Sequence, residues 1–236
     1  MLSDPDLSYI PSSDVLRLCS REVEGPGQTG VGAERVYCQD SPDLVMWSAP
    51  VTVARFTPAA WSHVSPTFLW GADDSWRMWY VHGRCSDTTS VVESVTSADT
   101  TPVATDLRQP GYVIWHLQVR AFAGAYWALY NAYRPDPSLW GCGYGDLFLA
   151  RSTDGIHWSV FPRPVLAHLA SSLFPAGYYR SSMVYDTATD VLGLWVSGYW
   201  LFSSSLDDGQ GAIRYHFAQL LAALGTPAAT EEAERR

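Results

Sequence analysis

The amino-acid sequence predicts an all-β protein of the β-propeller type, built from antiparallel blades, and three observations carry that prediction. Eleven Trp, thirteen Tyr, 18 Gly and 15 Pro among 236 residues favour short strands separated by turns over long helices. One order of strands, a polar-led strand followed by an aromatic-rich strand and a turn-rich strand, recurs four times. Equivalent opening strands are spaced by about 50 to 65 residues, the length of one four-stranded blade with variable loops.

The opening strands are Ser3-Asp4-Pro5-Asp6-Leu7, then Val64-Ser65-Pro66-Thr67-Phe68-Leu69-Trp70, then Trp115-His116-Leu117-Gln118-Val119, then Tyr179-Arg180-Ser181-Ser182-Met183-Val184-Tyr185. The aromatic second strands are expected at Val15 to Ser20, Trp76 to His82, Tyr126 to Tyr133 and Leu192 to Tyr199. Third strands follow at Arg35 to Gln39, Val91 to Thr96, Asp146 to Ser152 and Ile213 to Gln219. The third unit closes on a turn, Ser152-Thr153-Asp154-Gly155-Ile156-His157-Trp158, in which Asp and Gly suit a tight reversal and the Trp can pack back between sheets. A degenerate copy is Ser41-Pro42-Asp43-Leu44-Val45-Met46-Trp47. The units are therefore placed at 1–58, 62–108, 112–166 and 176–222, with a charged, Ala-rich tail over 223–236 expected to be a short helix or a frayed end.

Hydrophobic residues make up 47% of the chain, ample for a packed core. No window approaches the roughly 20 continuous apolar residues of a membrane span. The formal net charge is −9, and all fifteen basic residues are Arg, scattered without a stripe, which argues against nucleic acid as a partner. The N-terminus has no basic start followed by an apolar stretch, so the chain is expected to be cytoplasmic as synthesised. Cys19, Cys38, Cys85 and Cys142 form no CxxC pair and have no His at zinc-site spacing, so neither a metal nor another cofactor is expected. Cys19 and Cys38 lie symmetrically about a Gly-rich loop and could face each other on a hairpin; without an export signal, buried free thiols are the favoured expectation.

The ordered motifs Ser3-Asp4-Pro5-Asp6-Leu7, Val64-Ser65-Pro66-Thr67, Met78-Trp79-Tyr80, Trp115-His116-Leu117, Ser152 through Trp158 and Tyr179-Arg180-Ser181-Ser182 carry a resemblance. Together they resemble the five-bladed β-propeller glycoside hydrolase superfamily of invertases, levansucrases and arabinanases. The chain is most similar to uncharacterised bacterial and bacteriophage tail-associated members. The resemblance implies a blade before the one that opens at Ser3, so one blade of a five-bladed ring is expected to be missing. An open ring leaves sheet edges that invite a second copy or another virion protein.

The resemblance also implies a central pocket built from the inner strands and a carbohydrate ligand. Glycoside cleavage needs two carboxylates, one acting as acid and the other as base or nucleophile. Asp4 and Asp6 are the catalytic candidates. His63, Ser65, Trp115, His116, Gln118, Tyr179 and Arg180 are the substrate-binding candidates. Gln118 stands where the family often has Asp, and an amide cannot exchange a proton as a carboxylate does. A glycan-binding or structural propeller, on a virion if the phage resemblance holds, is thus expected ahead of an active hydrolase using Asp4 or Asp6, and of an interaction module completed by a partner chain.

Overall fold

The computed structural model describes residues 2–23, 33–56, 62–83, 88–135, 145–168, 174, 177–199 and 209–229. Four antiparallel sheets stand as propeller blades in chain order. The first contains β1 (Leu2–Ile10), β2 (Val15–Val23), β3 (Glu34–Ser41) and β4 (Val51–Phe56). The second contains β5 (Ser62–Trp70), β6 (Trp76–Gly83), β7 (Val91–Thr96) and β8 (Val103–Ala104). The third is built from β9 (Val113–Phe122), β10 (Ala125–Tyr133), β11 (Asp146–Ser152) and β12 (Trp158–Val160). In the fourth, β13 (Gly177–Tyr178) and β14 (Ser182–Asp186) form one interrupted inner strand, followed by β15 (Val191–Tyr199) and β16 (Gly209–His216).

Helix α1 (Phe217–Leu224) buries Phe217, Leu220 and Leu224 against the third and fourth sheets. Beyond it, β17 (Ala228–Ala229) pairs with β12 and extends the third sheet outward. Each sheet opens on a tight hairpin whose reversal places Asp14, Asp74, Gly124 or Asp190 at positive φ. Asp and Gly are among the residues that tolerate that conformation best.

Three apolar clusters fill three seams between sheets. Cys19, Val36 and Cys38 meet Phe68, Met78 and Tyr80 between the first and second sheets. Trp79, Val81 and Val92 meet Leu117, Tyr130 and Trp158 between the second and third. Trp127, Leu129 and Leu149 meet Met183, Leu192 and Leu194 between the third and fourth. With both faces covered, β9, β10 and β11 are buried almost throughout. No comparable cluster joins the fourth sheet to the first among the described residues. That seam is instead a cleft of about 940 Å³.

One expectation is corrected here. Cys19 and Cys38 are joined in a disulfide, being direct cross-strand partners on β2 and β3. The symmetry about the loop set the register, and the close approach of the paired backbones brings the two sulfurs together. Trp195, on an aromatic second strand as Trp79 is, is 52% exposed, because no sheet among the described residues covers it as the third sheet covers Trp79. Cys85 and Cys142 lie outside the described residues.

Candidate functional site

All four inner strands carry the same irregularity. Between Ser3 and Asp6, and again between Val64 and Thr67, two residues face one on the second strand. On β9, Trp115 is the extra residue between Ile114 and His116. In the fourth sheet Tyr179, Arg180 and Ser181 face only Val196 and Ser197. A β-bulge bends its strand and re-aims a side chain. Asp4 and Ser65 both adopt φ 55°, and each is followed by a proline, whose missing N–H costs nothing where the ladder is already broken.

The bulges bring four residues, one from each sheet, to a common point. The Ser65 hydroxyl makes a short hydrogen bond with His116 Nδ1. Asp4 Oδ1 lies 3.6 Å from His116 Nδ1 and 3.4 Å from Arg180 Nη1. Arg21, from β2, places Nε 3.1 Å from Asp4 Oδ2 and donates to the Ser3 hydroxyl, itself bonded to Asp4. Arg180 Nη2 donates to the Pro66 carbonyl at 3.3 Å. Arg180 is held from behind by Ser197, whose hydroxyl donates to its carbonyl at 2.6 Å.

Burial alone would push the Asp4 carboxyl up. The neighbouring His116, Arg180 and Arg21, with the Ser3 hydroxyl, hold it below the ordinary carboxylate value. His116 is pushed down to about 3 by burial, against the pull of Asp4 and with Arg180 and Arg21 adding to the push. At neutral pH the imidazole is therefore neutral, and two guanidiniums balance the Asp4 carboxylate. Ser65, His116 and Asp4 do not form a nucleophile relay: Ser65 and Asp4 both lie on the Nδ1 side of the ring, whereas a triad needs acid and nucleophile on opposite nitrogens. Ser65 is also fully buried.

Asp6 and Gln118 serve a different purpose. Asp6 Oδ2 accepts the Phe68 N–H at 2.9 Å, Thr67 Oγ1 accepts the Val119 N–H at 3.2 Å, and Gln118 Oε1 accepts the Met183 N–H at 2.7 Å. These three residues occupy equivalent places, each the first paired residue after its bulge or two beyond it, and each ties its inner strand to the next. Asp6 is further bound by Arg120 Nη2 at 3.0 Å.

The remaining candidates surround this group. Trp115 packs in the core between the second and third sheets and meets the His116 ring edge-on. Tyr179 also meets that ring edge-on, with centroids 4.2 Å apart. The His63 side chain is stacked between Phe56 and His82 and bonded to Glu34 Oε2 at 2.9 Å, and Arg21 links this group to Asp4, its Nη1 lying 3.6 Å from Glu34 Oε1 and donating to the His63 carbonyl at 3.1 Å. Glu93 on β7 accepts from Tyr80 Oη at 2.8 Å and contacts His82 Nδ1. Sequence reasoning missed Arg21 and Arg120, which sit in no motif. Their alternation with buried neighbours, Arg21 two residues beyond Cys19 and Arg120 two beyond Gln118, is the signal that could have found them. Among the described residues no group of three or more His, Cys, Asp and Glu side chains is placed to hold a metal ion.

The cleft beside this group is lined by Asp6, Gln118, Arg120 and Arg180 on its polar part and by Leu7, Tyr9, Val184 and Trp195 on its apolar part. No family profile and no curated protein matches the chain. Solved structures do. An N-acetylgalactosamine deacetylase from F. plautii, in complex with blood group B trisaccharide, is 19% identical with a TM-score of 0.71, over 96% of this chain and 76% of that one. An alpha-L-arabinofuranosidase from Lactobacillus brevis is 15% identical with a TM-score of 0.59, over 98% and 75%. A GH32 beta-fructofuranosidase from Bombyx mori is 13% identical with a TM-score of 0.61, over 98% of this chain but only 48% of its own. The likeness defines the class of fold, a β-propeller shared with GH43 and GH32 glycoside hydrolases. This chain is a four-sheet member of that fold class.

Proposed function

We propose that the chain is a glycan-binding propeller that does not hydrolyse glycosides. One observation carries the proposal: the carboxylates at the axis are committed to ion pairs and backbone N–H groups. A glycosidase needs a carboxylic acid kept protonated by a raised pKa, beside a second carboxylate. Asp4 is shifted the opposite way by His116, Arg180 and Arg21, and Asp6 is occupied by Arg120 and the Phe68 N–H. Gln118 offers an amide and spends its carbonyl on Met183.

Carbohydrate is supported as the ligand class by the polar wall of the cleft, where Arg120, Arg180 and Gln118 offer donors suited to hydroxyls, and by the fold's company of carbohydrate-active proteins. The sequence resemblance to phage tail-associated members extends the proposal to a virion component that holds host-surface polysaccharide. The Cys19–Cys38 disulfide supports maturation in oxidising surroundings rather than a cytoplasmic working place.

The test compares the wild-type chain with Asp4→Asn and Asp6→Asn on aryl glycosides and on an array of bacterial surface polysaccharides. Retention of one polysaccharide class without turnover is the expected result. Wild-type turnover abolished by Asp4→Asn would overturn the proposal in favour of a hydrolase.

A further inference from the structure

Arg120 and Arg180 both line the cleft, and their guanidiniums are engaged very differently. Arg120 Nη1 donates to the Val119 carbonyl at 2.9 Å and to Thr67 Oγ1 at 3.4 Å. Its Nη2 donates to Asp6 Oδ1 at 3.0 Å and to the Leu7 carbonyl at 3.1 Å. Arg180 makes one side-chain hydrogen bond among the described residues, from Nη2 to the Pro66 carbonyl at 3.3 Å. Its Nη1 is buried without a hydrogen-bond partner among them. Asp4 Oδ1 stands 3.4 Å from that nitrogen, whereas a charge-assisted hydrogen bond closes to about 2.7 to 2.9 Å. Since a guanidinium presents a rigid fork of N–H donors, most of the fork of Arg180 is unengaged.

Its charge is only partly matched as well. Asp4 is shared with Arg21, whose Nε lies 3.1 Å from Oδ2, and Asp4 does not line the cleft. The ionised side chains that do line it are Asp6, Arg120 and Arg180, one carboxylate against two guanidiniums on a chain whose formal net charge is −9. Burial pushes the Arg180 guanidinium below its ordinary value by more than Asp4 and Asp6 pull it back, and Arg120 adds to the push. A guanidinium keeps its proton in any protein setting, so an added anion is what offsets the burial. The Arg180 side chain keeps 15% of its surface exposed, which leaves an anion in the cleft a way to reach it. Beside it, Gln118 commits Oε1 to the Met183 N–H, and its amide N–H donors have no acceptor among the described residues.

We propose that the glycan held in the cleft is acidic, and that Arg180 binds a carboxylate carried on the sugar, as in a uronic acid. The inference rests on the glycan-binding reading and names the class of glycan within it. A carboxylate brings one negative charge and two oxygens in a plane, which fits one under-compensated guanidinium fork. A phosphate monoester brings about −1.5 to −2 and would over-fill the site. The guanidinium need not leave Asp4, because the carboxylate takes N–H groups that no protein acceptor holds. Asp4 keeps Arg21 and the Ser3 hydroxyl throughout. Gln118 is then left to hold hydroxyls of the same sugar.

The test applies the wild-type chain to a panel of uronate-bearing bacterial surface polysaccharides, each paired with its own carboxyl-reduced form, in which the carboxylate has become a hydroxymethyl group on an unchanged backbone. At least one acidic polymer should bind, with an apparent Kd at least about tenfold below that of its reduced partner at low salt. The gap should narrow in about 1 M sodium chloride, where the Debye length is near 3 Å. Arg180→Lys keeps the charge and loses the fork, so it should lower the ratio between the two forms while circular dichroism reports the wild-type fold. If that variant does not fold, the paired polymers on the wild-type chain decide alone. Equal binding before and after reduction would overturn the inference and leave glycan binding standing. So would binding confined to sulfated or phosphate-bearing polymers, or a ratio that a folded Arg180→Lys leaves unchanged. Binding of no polysaccharide, acidic or neutral, would remove both readings together.

Discussion

Asp4 and Arg180, from the first and last of the four sheets, meet 3.4 Å apart at a point where both side chains are withdrawn from solvent. Arg180 is the contact by which the fourth sheet reaches the axis, since its other branch rests on the Pro66 carbonyl. Removing the guanidinium leaves the Asp4 carboxylate buried against Arg21 alone. Breaking a buried pair by deleting one partner costs about 3 to 5 kcal/mol. Arg180→Ala should lower the urea midpoint by that order, and Arg180→Ala with Asp4→Asn should recover part of the loss. A double-mutant cycle measures the difference.

Stability should fall on acidification in two windows. His116 is held at about 3 in the folded chain against 6.5 ordinarily, so its contribution is complete above pH 6.5 and is lost as pH falls from there toward 3. Asp4, also lowered, contributes fully above its ordinary 3.8 and loses that contribution only below it. One proton taken up on unfolding gives a slope of at most about 1.4 kcal/mol per pH unit. Denaturation at pH 7, 5.5 and 4.5 should show this slope in the wild type. His116→Gln should flatten it above pH 4.5 while leaving the steeper loss at lower pH.

The cross-strand disulfide closes a loop of 19 residues, and such loops contribute about 3 kcal/mol. Reductant should lower the wild-type denaturation midpoint accordingly and leave a Cys19→Ala, Cys38→Ala double variant unmoved. An equal response of both proteins would show that the bond does not form in solution.

The inter-sheet ties should rank by what each leaves behind. Gln118→Ala strands the Met183 N–H, a loss of about 1 to 3 kcal/mol. Asp6→Ala strands the Phe68 N–H and takes the carboxylate partner from Arg120, which keeps the Val119 and Leu7 carbonyls, and should cost more. Gln118→Asp, which the sequence resemblance suggests as a restoration of catalysis, should destabilise, because the shorter side chain retreats from Met183. Thermal midpoints of the three variants order these effects.

These ties also explain what could be read in the sequence and what could not. The strands were legible because aromatic and β-branched runs alternate with Asp and Gly turns, and the loop at Ser152 because its side chains bond their own backbone. Convergence of Asp4, Ser65, His116 and Arg180 was legible as shared position in a repeat. The purpose of Gln118 was not. One strand alone does not reveal that the amide meets a backbone N–H 65 residues away, so an inter-sheet tie looked like a displaced catalytic acid. The exposure of Trp195 was illegible for a related reason: an apolar run marks a face that wants covering but is silent on whether the cover is present.

The two copies of the serine–aspartate loop give the sharpest contrast within one molecule. Gly155 and Leu44 hold the same left-handed conformation, which costs a residue with a Cβ roughly 1 to 2 kcal/mol. At Gly155 the absence of a side chain is required twice over. A Cβ there would lie 2.7 Å from Trp79 Cζ2 and 2.9 Å from Arg77 Nη1, the two residues that grip the loop. Gly155→Ala should therefore destabilise by more than the backbone strain alone and should loosen the seam between the second and third sheets, seen as faster hydrogen exchange at Val119 and Trp158. At Leu44 the strain is present and no sheet among the described residues leans on the loop, so Leu44→Gly relieves it. Glycine's greater freedom in the unfolded chain offsets part of that gain, by about 0.4 to 1 kcal/mol. The net expectation is a small rise in thermal midpoint for Leu44→Gly beside a clear fall for Gly155→Ala. A fall of similar size in both would mean that the Leu44 side chain is held by contacts equivalent to those around Gly155.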